Sequence, residues 1–170
     1  MPRSIYDGVG ETALAGHDGA GFFDHSPLIG RANPLSPPIT LTLDGDVVVG
    51  TVTFGSAYEG PPGCVHGGYV AAAFDEVLGS AQTFSGAPGM TGTLTVRYRN
   101  PTPLSAPLRI EGRFDRQERR KVFTTGRMYA GDVLTAEAEG IFISIGVERF
   151  RALRAERDER LDPNGHAPTD

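Results

Sequence analysis

The chain has 170 residues and a formal net charge of −5, enough for one domain with a sizeable core and cramped for two. Its acidic balance argues against general affinity for nucleic acid or anionic membrane, which are recognised first through clustered positive charge. The single cysteine, Cys64, excludes an intrachain disulfide framework and disfavours a Cys-cluster metal site, so a reducing, cytoplasmic setting is the expectation.

No stretch approaches the roughly 20 apolar residues that span a bilayer. Residues 1–30 lack a basic start followed by an apolar run, so neither insertion nor export by that route is expected. Residues 1–36 are rich in Gly, Pro, Ser and Asp and read as an irregular arm, with one helical turn near Phe22 and Phe23 that docks on the body. Asn33-Pro34 and Pro37-Pro38 block a helix there. Residues 39–43 then alternate, Asp44-Gly45 supplies a turn, and residues 47–54 complete the signature of a β-hairpin. Gly60-Pro61-Pro62-Gly63 prevents a helix before His66.

Residues 63–84 are the one long segment of helical character before the tail. Val70, Ala73, Phe74, Val77, Ala81 and Phe84 make an apolar stripe. A second row, Gly68, Ala71, Ala72, Asp75 and Gly79, sets one acid among residues too small to shield it, which invites close approach by a ligand or another backbone. Ser85-Gly86-Ala87-Pro88-Gly89 terminates the helix.

Four strand-like runs follow. Leu94, Val96 and Tyr98 alternate with Thr91, Thr93, Thr95, Arg97 and Arg99, and Leu108, Ile110 and Phe114 alternate with Arg109, Glu111, Arg113 and Asp115. Charged residues 116–120 lead into a run over 121–130. In residues 133–145, Leu134, Ala136, Ala138 and Phe142 face one way and Thr135, Glu137 and Glu139 the other. Connections this short do not hold βαβ crossovers, so the strands run antiparallel and residues 37–146 form an α+β domain. Residues 148–160 have the composition of a surface helix; with a disordered end from Asp162 they make up a C-terminal segment, 147–170.

Two strands, a long helix and four antiparallel strands, with Val65-His66-Gly67-Gly68 and an acid, Asp75, nine residues after the histidine, resemble the hotdog-fold acyl-CoA thioesterase superfamily. The likeness is to the phenylacetate-pathway type and its long-chain relatives, and it runs over roughly residues 33–145, including the lead-in at 59–63 and the strand exit at 98–103. The resemblance implies an antiparallel sheet wrapped around one central helix. It also implies hydrolysis of an acyl-CoA to free acid and CoA without a metal or organic cofactor. The family works as a homodimer or dimer of dimers, in which oxyanion donor and acid come from different subunits.

Carried onto this sequence, the amide of Gly67 is the oxyanion donor, beside Gly68 at the substrate. N–H groups in the first helical turn have no intrahelical acceptor and lie at the positive end of the dipole, which suits that role. Asp75 is the acid, as nucleophile or as general base. His66 positions the site, or simply caps the helix. Thr91 places the water, or is one of several outward threonines. Arg119, Arg120 and Lys121 at a strand turn meet the CoA phosphates, with Asn100 beside Arg97 and Arg99 as a second contact. Gly60 stands where some members have an Asn, and the Gly60-Pro61-Pro62-Gly63 form looks like the long-chain branch. Cys64 reads as a small core residue, and Glu76, about 100° round the helix from Asp75 with Tyr69, Ala73 and Ser80, as structural. Two other functions fit the same fold: a non-catalytic acyl-CoA binding or sensing module, and a hydratase of enoyl or hydroxyacyl thioesters.

Overall fold

The computed structural model describes residues 26–30, 32–86 and 89–161. The Phe22-Phe23 docking and the disordered end from Asp162 fall outside these residues.

Antiparallel strands β1 (Thr40–Asp44) and β2 (Val47–Val52) form the expected hairpin. Its loop contains Gly45 at φ +62°, a left-handed conformation that glycine adopts without steric cost. Helix α1 (Gly67–Ala81) follows, and then β3 (Gly89–Tyr98), β4 (Leu108–Glu118), β5 (Lys121–Ala130), β6 (Val133–Ser144) and helix α2 (Val147–Leu161). The six strands make one antiparallel sheet in the order β1-β2-β4-β5-β6-β3, wrapped around α1. This is the hotdog fold. Because β2 pairs with β4 and not with β3, the helix carries the chain from one side of the sheet to its far edge.

The helix is held by its apolar stripe. Val70, Ala73, Phe74, Val77, Leu78 and Ala81 are all buried, and full burial of a side chain the size of Val, Leu or Phe is worth roughly 1.5–3 kcal/mol. The sheet meets the stripe with glycines. A Cβ at Gly112 of β4 would come within 2.7 Å of Val77 Cγ1, and one at Gly126 of β5 within 3.0 Å of Leu78 Cδ2. The helix therefore sits closer to these strands than any side chain there would permit.

Three details differ from the sequence expectation. Phe84 does not continue the stripe and is 44% exposed, because the α-helix ends at Ala81 and residues 82–85 tighten into a 3-10 turn, which rotates Phe84 off the buried face. Thr135 is buried instead of outward. Met128 pairs with Ala136 and Tyr129 with Leu134, so Thr135 is the extra residue of a bulge, and its hydroxyl donates to the Met128 carbonyl at 3.2 Å. Residues 116–118 belong to β4, which leaves Arg119-Arg120 as the β4–β5 turn, with Arg119 at φ +54°.

Strand β3 is an edge. Its only pairing among the described residues is with β6, so alternate residues along it present unpaired backbone groups at the open edge, and Met90 and Tyr98 on this strand are 54% and 55% exposed.

Candidate active site

The helix start is built by a loop folded back on itself. Gly60 N donates to Cys64 O at 2.9 Å, Gly63 N donates to a Glu59 carboxylate oxygen at 2.8 Å, and His66 N donates to Tyr58 O at 2.9 Å. A Cβ at Gly60 would lie 2.7 Å from His66 Cα. An Asn at this position would force the backbone apart, so the glycine is a condition of the loop's closure.

His66 caps the helix: its backbone is extended (φ −58°, ψ 132°) and Nδ1 accepts from Gly68 N at 3.0 Å. An accepting Nδ1 carries no proton, so the neutral ring bears its hydrogen on Nε2. The His66 carbonyl accepts from Tyr69 N and Val70 N at 2.9 and 3.3 Å. Three of the first four amides are thereby occupied. The fourth, Gly67 N–H, has no acceptor among the described residues, and it lies at the positive end of α1.

Strand β3 touches the helix at both ends. The Tyr98 hydroxyl donates to Gly67 O at 2.8 Å, and the Thr91 hydroxyl donates to an Asp75 carboxylate oxygen at 2.7 Å. Alternation from Leu94, Val96 and Tyr98 puts Thr91 on the outer face. A bulge reverses this: Thr91 pairs with Phe142 and Thr93 with Ile141, so Gly92 is the additional residue and Thr91 turns toward the helix. The threonine and the acid, expected to act together, are brought together by that one inserted residue.

Gly67 and Asp75 are eight residues apart, which is about 12 Å along the helix axis. One carbonyl does not reach both groups within one chain.

Glu76, next to the acid, is partly buried and has no hydrogen-bond partner among the described residues. Desolvation, helped by the charge of Asp75, pushes its carboxyl up to about 7. A reading of Glu76 as purely structural overlooks this; desolvation depends on what packs over the helix, which one stretch of sequence does not reveal.

The expected CoA contacts lie at opposite ends of the sheet. Lys121 pairs with Ile143, as does Met90, so the β4–β5 turn shares the Thr91 end. Arg116 spends its charge locally on Asp115 and Glu118, at 2.6 and 2.7 Å, and stacks on Phe123. Arg120 donates through Nε to Ser144 O at 3.0 Å, while Arg119, Arg120 and Lys121 remain exposed at the turn. Asn100 lies at the Gly67 end with its Nδ2 committed to Leu134 O at 2.8 Å. Arg97 and Arg99 pair with Glu139 and Glu137 on the outer face, and the Arg99 hydrogen bond holds the Glu137 carboxyl below its ordinary value. Cys64 is half-buried and free. Tyr98 was not among the expected site residues. Its signal was present: it is the last inward position of β3, level with the start of the helix.

Residues 62–137 match the thioesterase superfamily. The matched segment contains the whole of α1, β3, β4 and β5 and the start of β6; the β1–β2 hairpin, residues 58–61 of the lead-in and residues 138–144 of β6 lie outside it. The acyl-coenzyme A thioesterase THEM4 of Xenopus laevis is 38% identical over 93 residues, covering 54% of this chain and 42% of that protein. The chain thus spans less than half the length of that curated relative. The crystal structure of a thioesterase superfamily protein superposes with a TM-score of 0.68 at 41% identity, covering 71% of this chain and 61% of that one. A hypothetical thioesterase of Streptococcus pneumoniae TIGR4, solved with coenzyme A, superposes at 0.56 with 22% identity, covering 59% and 82%, and supports the fold alone. Among the described residues, no helix is long and apolar enough to cross a membrane.

Proposed function

We propose that the chain is an acyl-CoA thioesterase of the cytoplasm, working as a homodimer or a dimer of dimers with each active site divided between two protomers. The observation that carries this reading is the pairing of a Gly67 N–H without an acceptor among the described residues, at one end of β3, with the Thr91-supported Asp75 at the other, about 12 Å apart along α1. Two β3 edges joined antiparallel about a two-fold axis near their midpoint would set each Gly67 beside the partner's Asp75. The unpaired edge of β3 offers the backbone groups for that contact.

In this mechanism Asp75 takes a proton from water as the water oxygen adds to the thioester carbonyl, or adds to the carbonyl itself; the Thr91 hydroxyl fixes one of its oxygens and leaves the other for the reaction. Negative charge gathers on the carbonyl oxygen, where the partner's Gly67 N–H meets it. The C–S bond then breaks and CoA leaves as the thiolate, which takes up the proton that Asp75 removed from water. On the nucleophilic route the acyl group stays on Asp75 as a mixed anhydride, which a water hydrolyses to the free acid, restoring the carboxylate and supplying the proton. His66 holds Gly68 N and so frees Gly67 for this task. Arg119, Arg120 and Lys121, at the Asp75 end, supply local positive charge for the CoA phosphates on an otherwise acidic protein. The Gly60-Pro61-Pro62-Gly63 lead-in resembles that of the long-chain branch, and the acyl group is read from the panel below.

The test is release of free thiol from a panel of acyl-CoAs by wild type and by Asp75→Asn. Hydrolysis by wild type with a loss of about 10² or more in the variant is expected. Equal rates for the two proteins would remove Asp75 from the mechanism, and a panel ordered by chain length would show the acyl preference directly.

A further inference from the structure

The oxyanion donor proposed above sits at the weakest point of its helix. Gly67 and Gly68 begin α1 in succession, and two glycines have more backbone freedom to lose than any other pair. An amide that must meet a developing charge with fixed geometry gains nothing from such freedom, since misplacement by a fraction of an ångström weakens the contact. The cap at His66 holds the N–H side of the 67–68 peptide group, the amide of Gly68. The carbonyl side of the same peptide group is held by one side-chain contact, the Tyr98 hydroxyl on Gly67 O at 2.8 Å, so the 67–68 plane is clamped from both sides.

The ring of Tyr98 reinforces that contact. A Cβ placed on Gly67 would lie 3.3 Å from the Tyr98 hydroxyl oxygen and 3.5 Å from its ring carbons, so the ring lies flush against the glycine. Tyr98 is itself fixed at the end of β3, opposite the fully buried Ala136 of β6. More than half of its surface is nonetheless exposed, so its packing contributes little to the core of the chain. An exposed aromatic residue whose hydroxyl is spent on the carbonyl of the oxyanion glycine has a task at the site.

We propose that Tyr98 is a positioning residue: through its hydrogen bond to the Gly67 carbonyl it locks the Gly-Gly helix start, so that Gly67 N–H points at the thioester oxygen. The claim rests on the thioesterase reading of the site, in which Tyr98 acts through Gly67 and does not itself touch the substrate. Its donated proton also polarises the 67–68 peptide group within the hydrogen-bonded chain that begins the helix, a modest cooperative strengthening.

The experiment compares wild type with Tyr98→Phe, which removes the hydroxyl and keeps the ring, and Tyr98→Leu, which removes both. Acyl-CoA hydrolysis is followed together with solvent exchange of the Gly68 amide, which donates to His66 Nδ1, by NMR of the full chain. A loss of positioning is expected to lower kcat roughly tenfold in both variants while KM stays within about twofold, because the oxyanion contact forms in the transition state. Exchange of the Gly68 amide, the N–H of the peptide group that Tyr98 holds, is expected to quicken in both. A kcat and an exchange rate unchanged in Tyr98→Phe would overturn the proposal, as would a rise in KM with kcat intact, which belongs to a substrate contact. Absence of hydrolysis by the wild type would remove the thioesterase reading instead; the anchoring of Gly67 by Tyr98 would then stand or fall on the exchange rate.

Discussion

At the scale of single residues, the site depends on which polar groups are already occupied and which are free. Gly68, Tyr69 and Val70 spend their amides on His66, and the remaining amide, that of Gly67, is the one the spacing to Asp75 indicated. The helix-start motif and the acid were therefore legible in the sequence, since both follow from position on one helix. The partner of Asp75 was legible only by resemblance: alternation along β3 faces Thr91 outward, and its contact with the carboxylate arises from a bulge whose position is set by cross-strand pairing. Thr91→Val keeps the shape and removes the hydroxyl. It is expected to lower kcat about tenfold, matching roughly 1.5 kcal/mol for one hydrogen bond to a charged group, and steady-state thiol release measures it. An unchanged kcat would reduce Thr91 to a surface threonine.

At the scale of elements, α1 and the sheet are matched by volume. Five of the six buried residues from Val70 to Ala81, all but Leu78, could be read from the 3.6-residue period because a helix buried on one face must repeat so. The sheet's side of the contact could not, since a glycine inside a strand run signals only a close approach without saying to what. Val77 answers for Gly112: Gly112→Ala would drive a methyl group to 2.7 Å from Val77 Cγ1 and to 3.1 Å from the Val77 carbonyl oxygen. Since backbone cannot yield as a side-chain tip does, the substitution is expected to destabilise the fold by about 1–3 kcal/mol, seen as a lower midpoint in urea with unchanged slope. The same logic accounts for Phe84 and Thr135, which periodicity placed wrongly. A 3-10 turn and a bulge each shift the phase of the pattern by a fraction of a turn or by one residue.

For the molecule as a whole, one acid couples stability to pH. Glu76 has its carboxyl raised from 4.5 to about 7 by desolvation first and by Asp75 second. Between these two values the folded chain holds a proton that the unfolded chain releases, so stability falls as pH rises through that window and the full penalty is present above it. Glu76→Gln is expected to remove this slope. The variant should match wild type near pH 4 and exceed it by about 1–3 kcal/mol near pH 8 in urea unfolding; a difference independent of pH would show that Glu76 is solvated.

The division of the active site between two chains belongs to the same scale and is where the functional account is most exposed to contradiction. It can be tested with two inactive proteins. Gly67→Pro suits the first helical position, which needs no N–H, and follows a His66 backbone already in the extended region that a residue before proline requires; it removes the oxyanion donor at a cost of about 10² to 10³ in rate. Asp75→Asn removes the acid. Each homodimer then has two defective sites, but a mixed dimer has one site with both lesions and one with neither. After the two variants are unfolded together and refolded, acyl-CoA hydrolysis should return to about a quarter of the wild-type rate, given random pairing. If the mixture is no more active than its separate components, donor and acid do not come from different chains, and the proposed mechanism is wrong.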